Sequence, residues 1–250
     1  MRSVGHSKTR GITTKNLFIA ALVALSLTSH GNAEESRKHL FILSGQSNME
    51  ALDPNASFTP AVTEKFGNDN VIVVKDALSG QPIRRWYKNW KPAKGNEPKA
   101  TGDLYDRLMT KVKAAMENQR IKTVTFVWMQ GESDAMEKHG AVYAASLRGL
   151  IAQPQKDLGR SDINIVIGRI SDYDMSNKTF PDWTMVREAQ VEVAKSNHRY
   201  AWVDTDDLNG AKNALHYNPE GYKTLGKRFA EKAIGLINNK PSKPEAGDSK

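Results

Sequence analysis

Two hundred and fifty residues, 39% hydrophobic and 26% charged, suit one well-buried domain of ordinary size and exclude collagen-like, disordered and polytopic membrane classes. With no Cys in the sequence, disulfide scaffolds, zinc fingers and thiol nucleophiles are excluded together. The net charge of +8 invites a nucleic-acid partner, so where that charge sits decides its meaning.

Residues 1–33 carry Arg2, Lys8, Arg10 and Lys15 and no acid. The apolar run Leu17–Leu27 follows, then Gly31-Asn32-Ala33, with small residues where a signal peptidase reads them. This is the layout of a secretory signal peptide cleaved after Ala33. This eleven-residue run, apolar but for Ser26, falls well short of the roughly 20 that span a bilayer. Removing the four leader cations leaves 32 basic against 28 acidic residues, net +4. Nucleic acid is therefore not an expected partner, and no stable membrane span is expected after cleavage. The mature protein is expected in the periplasm or outside the cell. A 217-residue domain can bury enough apolar surface to do without disulfides there.

Along the mature chain, short apolar runs alternate with helical stripes. A first strand is expected at Leu40–Leu43 and a second at Val71–Val74. The irregular stretch Ser79–Asp103 follows, with Pro82, Pro92 and Pro98, and loops of that length are usually functional or mobile. Leu104, Leu108, Val112 and Ala115 then recur at helical spacing, followed by a third strand at Val124–Trp128. A second stripe (Val142, Leu147, Leu150, Ile151), a fourth strand (Ile163–Ile167), a third stripe (Val186, Ala189, Val193, Ala194), a fifth strand (Tyr200–Val203) and a last stripe (Leu225, Phe229, Ala233, Leu236) complete the order. Runs of four or five residues that are apolar nearly throughout suit strands covered on both faces. The pattern predicts an α/β fold over residues 34–238, a flavodoxin-like three-layer α/β/α sandwich of about five parallel strands. Residues 239–250, with two Pro, several charges and no large apolar group, are expected to be a disordered tail.

Ligands of such sheets bind beyond the carboxyl ends of the strands. After the first strand comes Ser44-Gly45-Gln46-Ser47-Asn48-Met49, where a Ser among Gly and amides can expose its hydroxyl, although Ser and Asn are also ordinary helix N-caps. After the third comes Gln130-Gly131-Glu132-Ser133-Asp134, which can equally be a plain helix start. After the fifth come Asp204-Thr205-Asp206-Asp207 and Asn213-Ala214-Leu215-His216, just before a helix start marked by Asn218 and Pro219. A lone His is more often structural. Here Ser, Glu and His follow alternate strands onto one rim, which lets a nucleophile, a base and an orienting acid meet.

Gly45-Gln46-Ser47-Asn48-Met49, Trp128-Met129-Gln130-Gly131-Glu132 and the late His216 with Gly221 resemble the three signature blocks of the SGNH hydrolases, more narrowly the sialate O-acetylesterase and acetylxylan esterase branch. The resemblance covers about residues 38–236. It implies the same sandwich and an esterase that deacetylates sugars; no cofactor is expected, and no metal, since His39, His139, His198 and His216 show no paired ligand spacing. Ser47 would be the nucleophile and His216 the general base. The oxyanion hole would use the Ser47 N–H, the Gly102 N–H (with Gly80 or Gly95 as alternatives) and the Gln130 amide. Gln46, Asn48, Arg85 and Trp86 are the expected substrate contacts. The family's Asp three residues before the His is Asn213 in this chain. Its carbonyl can orient the imidazole but brings no charge, so Glu132 is the expected acid, with Asn213 assisting and Asp134 and Asp207 as fallbacks.

Other readings are weaker. Gly131-Glu132-Ser133-Asp134-Ala135 nearly matches a Gly-x-Ser-x-Gly nucleophile elbow, with acids on both sides of its Ser. Asp204-x-Asp206 has Leu208 where a calcium loop needs a third oxygen ligand and Asn209 where it needs Gly, and Asp172-x-Asp174 has Asn177 where the Gly belongs. Arg84-Arg85-Trp86-Tyr87-Lys88-Asn89-Trp90-Lys91 could stack on sugar rings and attract an acidic acetylated glycan, or simply anchor the long loop through its tryptophans. A crippled triad on this fold could also bind carbohydrate without cleaving it.

Overall fold

In the computed structural model, which describes Gly5 and residues 37–239, β1 (Lys38–Gly45), β2 (Val71–Ala77), β3 (Ile121–Met129), β4 (Asn164–Gly168) and β5 (Tyr200–Val203) form one parallel sheet in the order β2-β1-β3-β4-β5. The winding reverses between β1 and β3, so the ligand crevice of a doubly wound sheet belongs at their carboxyl ends. Apart from Gly5, the expected leader, residues 1–33, lies outside the described residues, as does the expected tail beyond Asn239.

Strand side chains alternate between two cores. Phe41, Leu43, Val127, Met129 and Val166 face the layer of α2 (Phe58–Phe66) and α7 (Pro219–Asn238). Leu40, Ile42, Phe126, Trp128, Ile165 and Ile167 face α3 (Asp103–Met116), α5 (Gly140–Asp157) and α6 (Trp183–Lys195). Burial on both sides explains why the runs are apolar nearly throughout. The α/β/α sandwich and its five strands are as the sequence predicts. β1 and β3 extend beyond their apolar runs through a buried polar pair, His39 Nδ1 lying 2.7 Å from Thr123 Oγ1.

The four stripes correspond to α3, α5, α6 and α7. Asn218 caps α7 by accepting from the Gly221 N–H at 2.8 Å, with Pro219 in the first turn. Three further helices lie outside those stripes. α1 (Ser47–Ala51) and α4 (Glu132–Met136) have five residues each, too few to display a period. In α2, Phe58, Val62 and Phe66 recur every four residues, with Pro60 tolerated in the first turn.

The close pairing of β1 with β3 fixes the turn into α1. Gly45 has φ 150°, and a Cβ there would lie 1.8 Å from the Met129 carbonyl oxygen. That same carbonyl accepts from the Gln46 N–H at 2.9 Å, so only glycine lets the strand turn into α1 while still touching β3. Among the described residues, no helix is long and apolar enough to cross a membrane.

Candidate active site

Ser47 is the first residue of α1 and is half-buried. His216 is exposed, two residues before the Asn218 cap of α7. Separated by 169 positions in sequence, Ser47 Oγ and His216 Nε2 lie 3.0 Å apart. At that distance an imidazole with a free Nε2 lone pair can take the hydroxyl proton.

The groups expected to orient His216 do not reach it. Among the described residues, its side chain has one hydrogen bond, that to Ser47. Asn213 is exposed; its Oδ1 accepts from Asn209 at 2.5 Å and its Nδ2 donates to the Tyr173 carbonyl at 3.2 Å. It ties two loops together instead of accepting from the imidazole. Glu132, the first residue of α4, is buried, and burial raises its carboxyl above the ordinary carboxylate range. Its Oε1 accepts from Asn48 Nδ2 at 3.0 Å. Asn48 Nδ2 also donates to the Leu215 carbonyl at 3.2 Å, and Asn48 Oδ1 accepts from the Tyr222 hydroxyl at 3.1 Å.

The fallback acids are committed elsewhere. Asp134 is buried and accepts from the Ile83 N–H at 2.8 Å and Gln130 Nε2 at 2.6 Å; desolvation pushes it up to about 7. Asp207 forms a two-pronged pair with Arg228 at 2.6 and 2.7 Å. Ser133, the nucleophile of the elbow reading, is buried with its N–H on Gln46 Oε1, while His216 sits on Ser47.

The anion-stabilising groups also differ from expectation. As the first residue of α1, Ser47 has an N–H with no intrahelical acceptor. Gly102 is buried, its N–H points at the Arg84 carbonyl at 3.4 Å, and the Lys88 stem lies where its Cβ would be. Gln130 is buried, and its Nε2 donates to Asp134 and, at 3.1 Å, to the Gln81 carbonyl, which occupies both amide hydrogens. Neither donor is free for an oxyanion.

Of the alternatives, Gly95 (φ 74°) and Gly80 (φ 68°) are both exposed with N–H groups that have no partner among the described residues, and Gly80 is the one beside a residue tied to α1. Its loop is held from both ends. The Ser79 N–H donates to Glu50 Oε2 at 3.0 Å and the Ser79 hydroxyl binds the same carboxylate, tying the loop to α1, while Gln130 holds Gln81.

Most of the expected substrate contacts are structural. Trp86 is corrected outright: it is 0% exposed, edge-on to Trp128 with ring centroids 5.2 Å apart, so it fills the core under the long loop and has no face for a sugar. Trp90 is buried against His139. Arg85 is spent on Asp103 and Gln81, Arg84 on Glu137 and Lys88 on Asp106. Arg85 in turn holds the Asp103 carboxyl well below the usual carboxylate range. The loop-anchoring reading of this cluster fits. Asn48 is buried with both amide hydrogens used. Gln46 is buried and its Oε1 accepts from the Ser133 N–H, leaving its Nε2 unpaired among the described residues.

Three positions carry contacts that sequence reasoning does not reach: Lys75, whose ammonium donates to the Glu50 and Leu52 carbonyls at 2.8 and 2.5 Å, Ser79 and Tyr222. Only Lys75 leaves a signal, a cation closing an otherwise apolar strand run. Among the described residues no group of three or more His, Asp or Glu side chains could hold a metal ion.

The family model described as carbohydrate esterase, sialic acid-specific acetylesterase matches residues 50–235, a span that includes Glu132 and His216 and begins three residues after Ser47. No curated protein matches the chain. Among solved structures, a protein from Arabidopsis thaliana is similar at 20% identity and TM-score 0.61, over 81% of this chain and 99% of that one. A carbohydrate acetylesterase from Xanthomonas citri is similar at 14% identity and TM-score 0.60, over 80% of this chain and 56% of that one. NanS is similar at 14% identity and TM-score 0.54, over 82% and 98%. At these identities the structural likenesses speak for the fold.

Proposed function

The chain belongs to the carbohydrate esterase family of sialic acid-specific acetylesterases, and from that membership and the site geometry we propose that it is an exported serine esterase that removes O-acetyl groups from carbohydrate. The single observation that carries the mechanism is the 3.0 Å contact between Ser47 Oγ and His216 Nε2.

His216 Nε2 takes the Ser47 proton as Oγ attacks the acetyl carbonyl carbon. The Ser47 and Gly80 N–H groups hold the resulting oxyanion, a donor of this kind being worth ~2.7–4 kcal/mol in the transition state. The imidazolium then protonates the departing sugar oxygen, leaving acetyl-Ser47. Water, deprotonated by His216, attacks the acetyl carbonyl, and acetate leaves as Ser47 regains its proton. The site works as a dyad. His216 is exposed, so water can serve its far nitrogen while the Ser47 contact sets the ring.

The test is acetate release by the chain lacking residues 1–33, from a small acetyl ester and from O-acetylated sugars. Turnover abolished by Ser47→Ala supports the reading. Carbohydrate binding without ester turnover identifies a binding protein instead, the alternative that the missing orienting acid favours.

A further inference from the structure

A nucleophile at the first residue of a five-residue helix and a base in an exposed loop must keep a hydrogen-bond distance, although neither element is long enough to hold itself rigid. One side chain spans them. Asn48, the residue after Ser47, sends one amide hydrogen to the carbonyl of Leu215, the residue before His216. The other goes to Glu132 Oε1, and Asn48 Oδ1 takes the Tyr222 hydroxyl from the first turn of α7. The peptide bonds next to the nucleophile and next to the base are thus joined through a single amide.

We propose that Asn48 is a positioning residue that locks His216 onto Ser47, and that Glu132 acts on the reaction through Asn48 and not as the acid of a triad. The inference rests on the esterase reading of the site. Glu132 makes its side-chain hydrogen bond to Asn48, and His216 makes its own to Ser47. A carboxylate oxygen can only accept, so accepting from one Nδ2 hydrogen fixes the amide plane and aims the other hydrogen at Leu215. Glu132 sits on the rigid rim after β3, and Tyr222 belongs to a helix capped beside the same loop, so the strut ends on firm ground at both sides.

A triad acid and an anchor for the strut make opposite demands. A triad acid must be charged and act on the imidazole directly. The anchor need only present an oxygen to Asn48, which a glutamine oxygen does equally well. Removing the strut shifts His216 relative to Ser47, and displacements of about 1 Å at reacting atoms cost on the order of 10²-fold in rate.

The experiment measures kcat and KM for a small acetyl ester with Asn48→Ala, Glu132→Ala, the double variant Asn48→Ala/Glu132→Ala, and Glu132→Gln. The proposal expects Asn48→Ala to lower kcat about 10²-fold with KM within about threefold. It expects the double variant to be no slower than Asn48→Ala alone, because Glu132 has nothing left to act through. Glu132→Gln should recover most of what Glu132→Ala loses, to within about fivefold of the parent. Multiplying losses in the double variant, or a Glu132→Gln loss near the ~10⁴-fold of an amide in place of a triad acid, overturns the proposal and makes Glu132 the acid. Should Glu132→Ala not fold, Glu132→Gln and Asn48→Ala still decide the question. An inactive parent chain, or a Ser47→Ala variant that still turns over ester, marks failure of the esterase reading instead.

Discussion

Two irregular regions meet the carboxyl edge of the sheet, and they bury different residue types to different ends. In the loop at 79–102, Trp86 and Trp90 turn inward and Arg84, Arg85 and Lys88 are paired with acids. At the corner formed by α1 and the loop before α7, the polar groups Asn48 and Glu132 are buried, while Ser47 and His216 stay within reach of water. What each region buries separates the two: aromatic rings that anchor the loop, and an amide and a carboxyl that support the Ser47–His216 pair. Aromatic side chains return more free energy by filling a core than by waiting for a sugar. A buried amide and a buried carboxyl are stabilised where one hydrogen-bonds the other, as Asn48 does Glu132.

The largest effect sharpens the role of the corner. Ser47→Ala should reduce ester turnover by at least about 10⁴-fold with the melting temperature almost unchanged, read as initial rates beside a thermal scan. A variant keeping a tenth of the activity would move the chemistry elsewhere. The loop should answer the reverse way. Trp86→Ala removes a fully buried ring and should cost ~3–5 kcal/mol in denaturant unfolding, while the folded fraction keeps its KM. A raised KM with intact stability would restore the sugar-stacking role.

Between the two regions lies Asp134, which holds the Ile83 N–H of the loop from the rim beside the corner. Its folded value is raised to about 7 from 3.8, mainly by desolvation. Between about pH 4 and pH 7 the native state therefore binds more protons at this site than the unfolded chain, so this group makes stability fall as pH rises through that window. Asp134→Asn keeps an acceptor for Ile83 and removes the titration. Urea midpoints should show the variant gaining on the parent as pH rises, by on the order of a few kcal/mol at neutrality. A constant difference across the window would mean that Asp134 titrates normally.

A smaller contrast tests the oxyanion assignment. Gly80→Ala and Gly102→Ala each put a side chain at a positive φ, at about 1–2 kcal/mol of strain, and the Gly102 change must also displace the Lys88 stem, 2.4 Å from the added Cβ. Only the Gly80 change should lower kcat, by about tenfold or more. The reverse pattern would return the oxyanion donor to Gly102. Smallest of all, Arg85→Ala should alter activity less than about twofold on neutral and acidic acetylated sugars alike, at any salt concentration, because its charge already belongs to Asp103. A selective loss on acidic substrates at low salt would give the cation cluster a binding role.

What the sequence reveals follows from how physical signals are written in it. The sheet is legible because strands buried on both faces must be apolar nearly throughout, and α3, α5, α6 and α7 because a long amphipathic helix repeats its stripe. Ser47 and His216 stand out because strand order puts both on one rim. The roles of Glu132, Asn213 and Gln130 are not legible, since they depend on which partner each finds. Gln130 offers the same amide whether it faces an oxyanion or Asp134. Gly102 precedes a helix in the ordinary way, whereas Gly80 gains its place from Ser79 gripping Glu50 and Gln130 gripping Gln81, contacts made across the fold.

The most direct test of the central claim is to treat the protein with a fluorophosphonate ester, which phosphonylates an activated serine with loss of fluoride, and to locate the adduct by peptide mass spectrometry. The account predicts one adduct, on Ser47, formed far more slowly in His216→Ala. An adduct on Ser133, or unimpaired ester turnover with Ser47 unmodified, would contradict it.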